Sequence, residues 1–179
     1  IYQLRTTANR VLEKRQTFAG MSTTSKQDYY NKVNIALQEE NKSELAGEEL
    51  ETAARKAYVA EKLGEDLDKD IEFAKTLGKD LGMNLNFQTV ETAEEMLEEA
   101  KKINKNLTEE DIKNILDGAN GLQVGNTIII NKALSIQNGH TSVGSHELLH
   151  ALVKSGVNKN DGLANTGGKK LLEYLKESQ

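Results

Sequence analysis

The chain has no cysteine, no proline and no tryptophan among its 179 residues, and aromatic side chains make up only 4 % of it. Without cysteine, disulfides, thiolate nucleophiles and cysteine-ligated zinc are excluded. So few aromatics leave little from which to build a stacking platform for nucleic acid bases. An excess of positive charge is also lacking: 23 Lys and Arg stand against 28 Asp and Glu, for a net charge of −5. Phosphate neutralisation needs clustered cations, so nucleic acid is not expected as a partner. No apolar run approaches the ~20 residues needed to span a bilayer, so a membrane is not expected either. With proline absent, glycine punctuates the chain.

What remains is 28 % charged and 37 % hydrophobic, the composition of a helix-rich and rather lean protein. Residues 1–80 read as a charged helical region. "SKQDYYNKVNIALQEENK" opens with Ser25 and Asp28 in capping-box spacing and carries Tyr29, Val33 and Leu37 at helical intervals. The run that follows places Leu45, Leu50, Ala53, Ala54, Ala57, Tyr58 and Leu63 on one stripe, with glycines at 47, 64, 78 and 82. Its small residues suit close contact between helices, and its mixed charges suit a solvated face.

Beyond Gly82 the texture changes, and residues 81–179 read as a second region. "MNLNFQTV" alternates Met83, Leu85 and Phe87 with polar neighbours, the pattern of a half-buried strand. Two short amphipathic helices follow, the first capped by Thr92, the second by Thr108 with Asp111 and closed by Gly118. In "NGLQVGNTIIINKAL", Asn120-Gly121 and Gly125-Asn126 are turn signals, and "TIIIN" has the strongest strand character in the chain. The order of elements predicts an α+β fold. The chain opens on Ile1 and closes on "LLEYLKESQ", which reads as a helix still in progress; an engineered fragment, a processed product and the ordered part of something longer are the expectations this leaves open.

Two of the three histidines lie in "GSHELLHAL" at residues 144–152. On a helix, His146 and His150 are one turn apart, so their imidazoles share a face and can meet one metal ion. Glu147 is displaced from the first ligand by roughly 100° around the helix. That suits a general base more than a ligand: zinc lowers the pKa of its water toward about 7, and a nearby carboxylate takes the proton and later returns it to a leaving amine. Leu148, Leu149, Leu152 and Val153 give the helix an apolar body, with Thr141 or Ser142 to cap its start and Gly156 its end.

On these residues the sequence resembles the HExxH zincin superfamily of zinc metallopeptidases. His146 and His150 fall on that family's two zinc ligands and Glu147 on its catalytic glutamate. The resemblance spans roughly residues 83–156 and implies a small zincin-like core, with a short antiparallel or mixed sheet and an active-site helix. It also implies that an edge strand near "TIIIN" flanks the cleft and that a protein or peptide substrate is added along it as a strand. Since no histidine follows His150, the longer metzincin form is excluded. The gluzincin form, resembling thermolysin, takes its third ligand from a later helix, where Glu173 is the first candidate; Glu177, Asp161 and residues beyond Gln179 are the alternatives. His140 is a conceivable extra ligand or, like Tyr58 and Tyr174, a conceivable donor to a developing oxyanion, although for His140 an exposed loop position is the simpler expectation. A fainter resemblance is to metallopeptidase-like modules embedded in large tailed-phage virion proteins, which implies a virion setting within a larger chain.

Two other classes remain open. One is a structural or interaction module with an incomplete or closed metal site, which an open, water-accessible position would rule against. The other is a metal-dependent regulator, although no DNA-binding module is recognisable beside the motif.

Overall fold

The computed structural model describes residues 2–157 and residue 173. In chain order the elements are α1 (Tyr2–Ala19), α2 (Thr23–Glu39), α3 (Gly47–Asp80), β1 (Asn86–Val90), α4 (Ala93–Ile103), α5 (Glu109–Leu116), β2 (Gly121–Val124), β3 (Thr127–Asn131), α6 (Lys132–Gln137) and α7 (Val143–Val157). The fold is α+β. The chain divides into two compact units between Leu63 and Gly64, inside α3, whereas the change of texture in the sequence comes after that helix has ended. None of the described helices is long and apolar enough to cross a membrane.

In the first unit, α2 begins three residues earlier than its sequence suggests. Ser22, not Ser25, is the cap: its backbone is extended and its hydroxyl accepts the Ser25 N–H at 3.2 Å. The core is aromatic, with Phe18, Tyr29 and Tyr58 buried and their ring centroids 5.3 to 6.0 Å apart. Tyr58 is therefore a core residue of this unit.

Of the four glycines expected to break the second helical run, only Gly47 and Gly82 do so, each with positive φ at an end of α3. Gly64 and Gly78 lie inside the helix, where packing outweighs their poor propensity. A Cβ on Gly78 would stand 3.5 Å from Leu148 Cδ1 of α7, and one on Gly64 would stand 3.3 Å from Ile136 Cδ1 of α6.

The second unit is built around a sheet of order β1-β3-β2, with β1 parallel and β2 antiparallel to β3. β3 is the "TIIIN" segment, and it is central. All five of its residues are buried, because both faces of the sheet are covered. Ile129 packs with Val90 and Val124 of the flanking strands against Met96 and Ala100 of α4 and Ile115 of α5. Ile128 and Ile130 point the other way, to Leu67 and Ile71 of α3 and Val143 of α7. The edge strand beside α7 is thus β2, one strand further out than "TIIIN", because β1 occupies the other flank of β3. Ile129→Ala empties the middle of the α4/α5 face and should cost about 2–5 kcal/mol, read from denaturant unfolding.

The local signals around the sheet are realised in most places. Thr92 Oγ1 caps α4 through the Glu95 N–H at 3.1 Å, and Thr108 with Asp111 forms a reciprocal capping box on α5. Gly125 turns the β2–β3 hairpin with φ 58°. Asn120-Gly121 is not a turn: Gly121 begins β2, and the Asn120 carbonyl already accepts the Asn131 N–H at 2.8 Å. The short helix α6 was not anticipated. Its cap is Asn131, whose side chain accepts the Leu134 N–H at 3.0 Å as the strand ends.

Candidate metal centre

α7 packs against both α3 and the sheet, and its sequence assigns a task to each side. Leu148 and Leu152 pack on Ala74 and Leu77 of α3. Val143 and Glu147, one turn apart, lean over the start of β2: a Cβ on Gly121 would stand 2.8 Å from Val143 Cγ1 and 2.9 Å from Glu147 Cγ. No side chain fits there, so the glutamate occupies the space that Gly121 leaves. Gly156 does not end the helix, which continues through Val157. At the other end, the buried carboxylate of Asp70 on α3 accepts the first-turn N–H of Ser145 at 3.0 Å.

The exposed side of α7 carries His146 and His150. Their Nε2 atoms are 2.9 Å apart and their rings meet nearly edge to face, with centroids at 4.5 Å. Two nitrogens bound tetrahedrally to one zinc at 2.0–2.1 Å lie about 3.3 Å apart, so a small rotation of either ring fits the pair to an ion. The Glu147 carboxylate joins them, all three ligand atoms lying within 4.8 Å of one another. The group is neither buried nor fully open: both histidines are exposed and Glu147 is half-buried. Burial pushes the Glu147 carboxyl above its usual range, while His146, His150 and Lys154 pull it partly back.

Of the other sequence candidates, Glu173 is helical and exposed and lies outside this group. Asp161, Tyr174 and Glu177 fall outside the described residues. His140 is exposed and also outside the group; its Nδ1 is 2.7 Å from Asn120 Nδ2, at the corner that leads into β2. The roles of Gly121 and Asp70 are not apparent from the sequence. Gly121 read as a turn residue, but Asp70 leaves a trace, being a charged residue next to Leu67, Ile71 and Ala74 in an apolar helical stripe.

Compared with family models, with curated proteins and with solved structures, the chain matches none.

Proposed function

We propose that this protein is a zinc-dependent peptidase of the HExxH zincin kind, with His146 and His150 as ligands and Glu147 as general base. The observation that carries the reading is the meeting of one ligand atom each from His146, Glu147 and His150 within 4.8 Å on one helix, beside β2, an edge strand among the described residues. Zinc held by such a pair supplies Lewis acidity and allows water to act as a nucleophile at neutral pH.

The chain's own residues supply the rest. Glu147, seated over Gly121 one residue from the first ligand, takes a proton from the attacking water and returns it to the departing amine. The edge of β2 provides for the substrate. Asn120 and Asn131 form a hydrogen-bonded pair across the hairpin, so the alternation of an antiparallel ladder turns the N–H and C=O groups of Gly121 and Gln123 away from β3. An extended peptide laid against those groups passes Glu147, which leans over Gly121 on the α7 side of the strand. The third ligand is assigned to the chain after α7, where Glu173 is the candidate to test.

Metal content and hydrolysis test the proposal together. The purified chain supplied with zinc should retain about one ion and cleave an unstructured polypeptide, and His150→Ala should lose both properties. If Glu173→Ala also loses zinc, the third ligand is identified. A chain that retains no zinc, or retains it with no cleavage of any unfolded substrate, overturns the peptidase reading.

A further inference from the structure

Asp70 is a carboxylate in the core. It is 2 % exposed, between Leu67 and Ile71 on the buried stripe of α3. Burying a charge there costs several kcal/mol before any partner is counted, and an apolar residue of similar size would serve packing better. What the carboxylate does is hold one residue of α7 twice. Its Oδ2 accepts the Ser145 N–H at 3.0 Å, and its Oδ1 accepts the Ser145 hydroxyl. Ser145 is itself 0 % exposed and immediately precedes His146.

The contact is close by construction. A Cβ on Gly144 would stand 3.0 Å from Asp70 Oδ2 and 3.2 Å from Ile71 Cα, so any side chain there would crowd the carboxylate and the α3 backbone. The N–H belongs to the first turn of α7, whose donors have no partner within the helix, and a negative group there also faces the positive end of the helix dipole.

Leucine-on-alanine packing between α3 and α7 resists separation but fixes rotation weakly. Two hydrogen bonds to one carboxylate, one from backbone and one from side chain, fix both rotation and axial position. A slip of one residue would turn α7 by about 100° and move it about 1.5 Å, carrying Glu147 away from Gly121 and turning the histidine pair as a unit away from β2 and from any ligand supplied outside the helix.

Building on the metal-site reading, we infer that Asp70 is a positioning residue of that site, which sets the rotation of α7 through Ser145 so that Glu147 sits over Gly121 and the His146–His150 pair faces the third ligand, supplied from outside the helix. Asp70 touches neither metal nor substrate in this role. It acts through the residue before the first ligand.

The test uses the full chain, with zinc and Co²⁺ as probes. Folding is checked by circular dichroism well below the unfolding temperature. Asp70→Asn loses the acceptor for one of the two Ser145 donors and should weaken zinc binding about 10- to 100-fold, as removal of groups that orient metal ligands does. It should also alter the visible bands of the Co²⁺ form, which report ligand geometry. Ser145→Ala retains the carboxylate, its charge and the backbone bond, and should weaken zinc binding about tenfold; since charge is unchanged, that loss reports position. If Asp70→Asn does not fold, Ser145→Ala decides alone. Folded variants with unaltered zinc affinity and an unaltered Co²⁺ spectrum overturn the inference and leave the metal site standing. An unaltered chain that binds no zinc overturns the metal site and this inference with it.

Discussion

Glu147→Gln should leave zinc binding intact and lower kcat for peptide hydrolysis by about 10²- to 10⁴-fold, the contribution of a positioned general base. Glutamine has nearly the shape of glutamate and fills the same space over Gly121, so His146 and His150 keep their places; it lacks only the capacity to accept the proton. The same substitution has a second consequence that needs no substrate. Burial raises the Glu147 carboxyl above its usual pKa, so the folded chain holds this proton to higher pH than the unfolded chain does. The folded state is therefore penalised as pH rises past the ordinary carboxylate range, and the penalty grows until the folded-state carboxyl is ionised as well. In zinc-free protein, Glu147→Gln should accordingly raise the thermal unfolding temperature at pH 7 and leave it nearly unchanged at pH 4. Full hydrolytic activity in the variant would remove Glu147 from the chemistry.

Gly121→Ala should disable the same residue from the opposite side. The added methyl meets Val143 Cγ1 at 2.8 Å and Glu147 Cγ at 2.9 Å, both closer than carbon atoms tolerate. Glu147 is the freer of the two, since Val143 is buried among Ile128, Ile130 and Leu67. The glutamate is thus displaced toward solvent, and overpacking costs about 1–3 kcal/mol of stability, measurable by denaturant unfolding. Hydrolysis should fall about 10²-fold, because a base moved by roughly an ångström no longer meets its proton. Zinc content should stay that of the unaltered chain, with both ligands on the exposed side of α7. A Gly121→Ala chain with normal kcat would show that Glu147 does not work from its place over the strand.

Several features of this molecule were legible before any tertiary contact was known. Thr92, and Thr108 with Asp111, mark helix starts because a cap and its donor are three residues apart and the interaction is local. The meeting of His146 and His150 was legible for the same reason, four residues being one helical turn. Errors arose where a local signal had two uses. Gly64 and Gly78 are poor helix residues that serve here as contact surfaces for α6 and α7. Gly121 carries a turn signature but provides space for a glutamate, and Ser25 looks like a cap but is the donor to one, Ser22. "TIIIN" was recognised as a strand, yet its apolar run describes burial on two faces and does not say which neighbour lies at the edge.

By itself the sequence determined the α+β class, the capped starts of α4 and α5 and the "TIIIN" strand, and set two imidazoles and a carboxylate on one turn of helix, since these depend on spacings of two to four residues. Tertiary structure decided what those groups can do. It placed β2 at the edge beside α7, desolvated Glu147 against Gly121, and tied Ser145 to a carboxylate 75 residues away. The physical reason is that desolvation and close approach belong to pairs of surfaces, and which surfaces meet is settled only when the whole core packs.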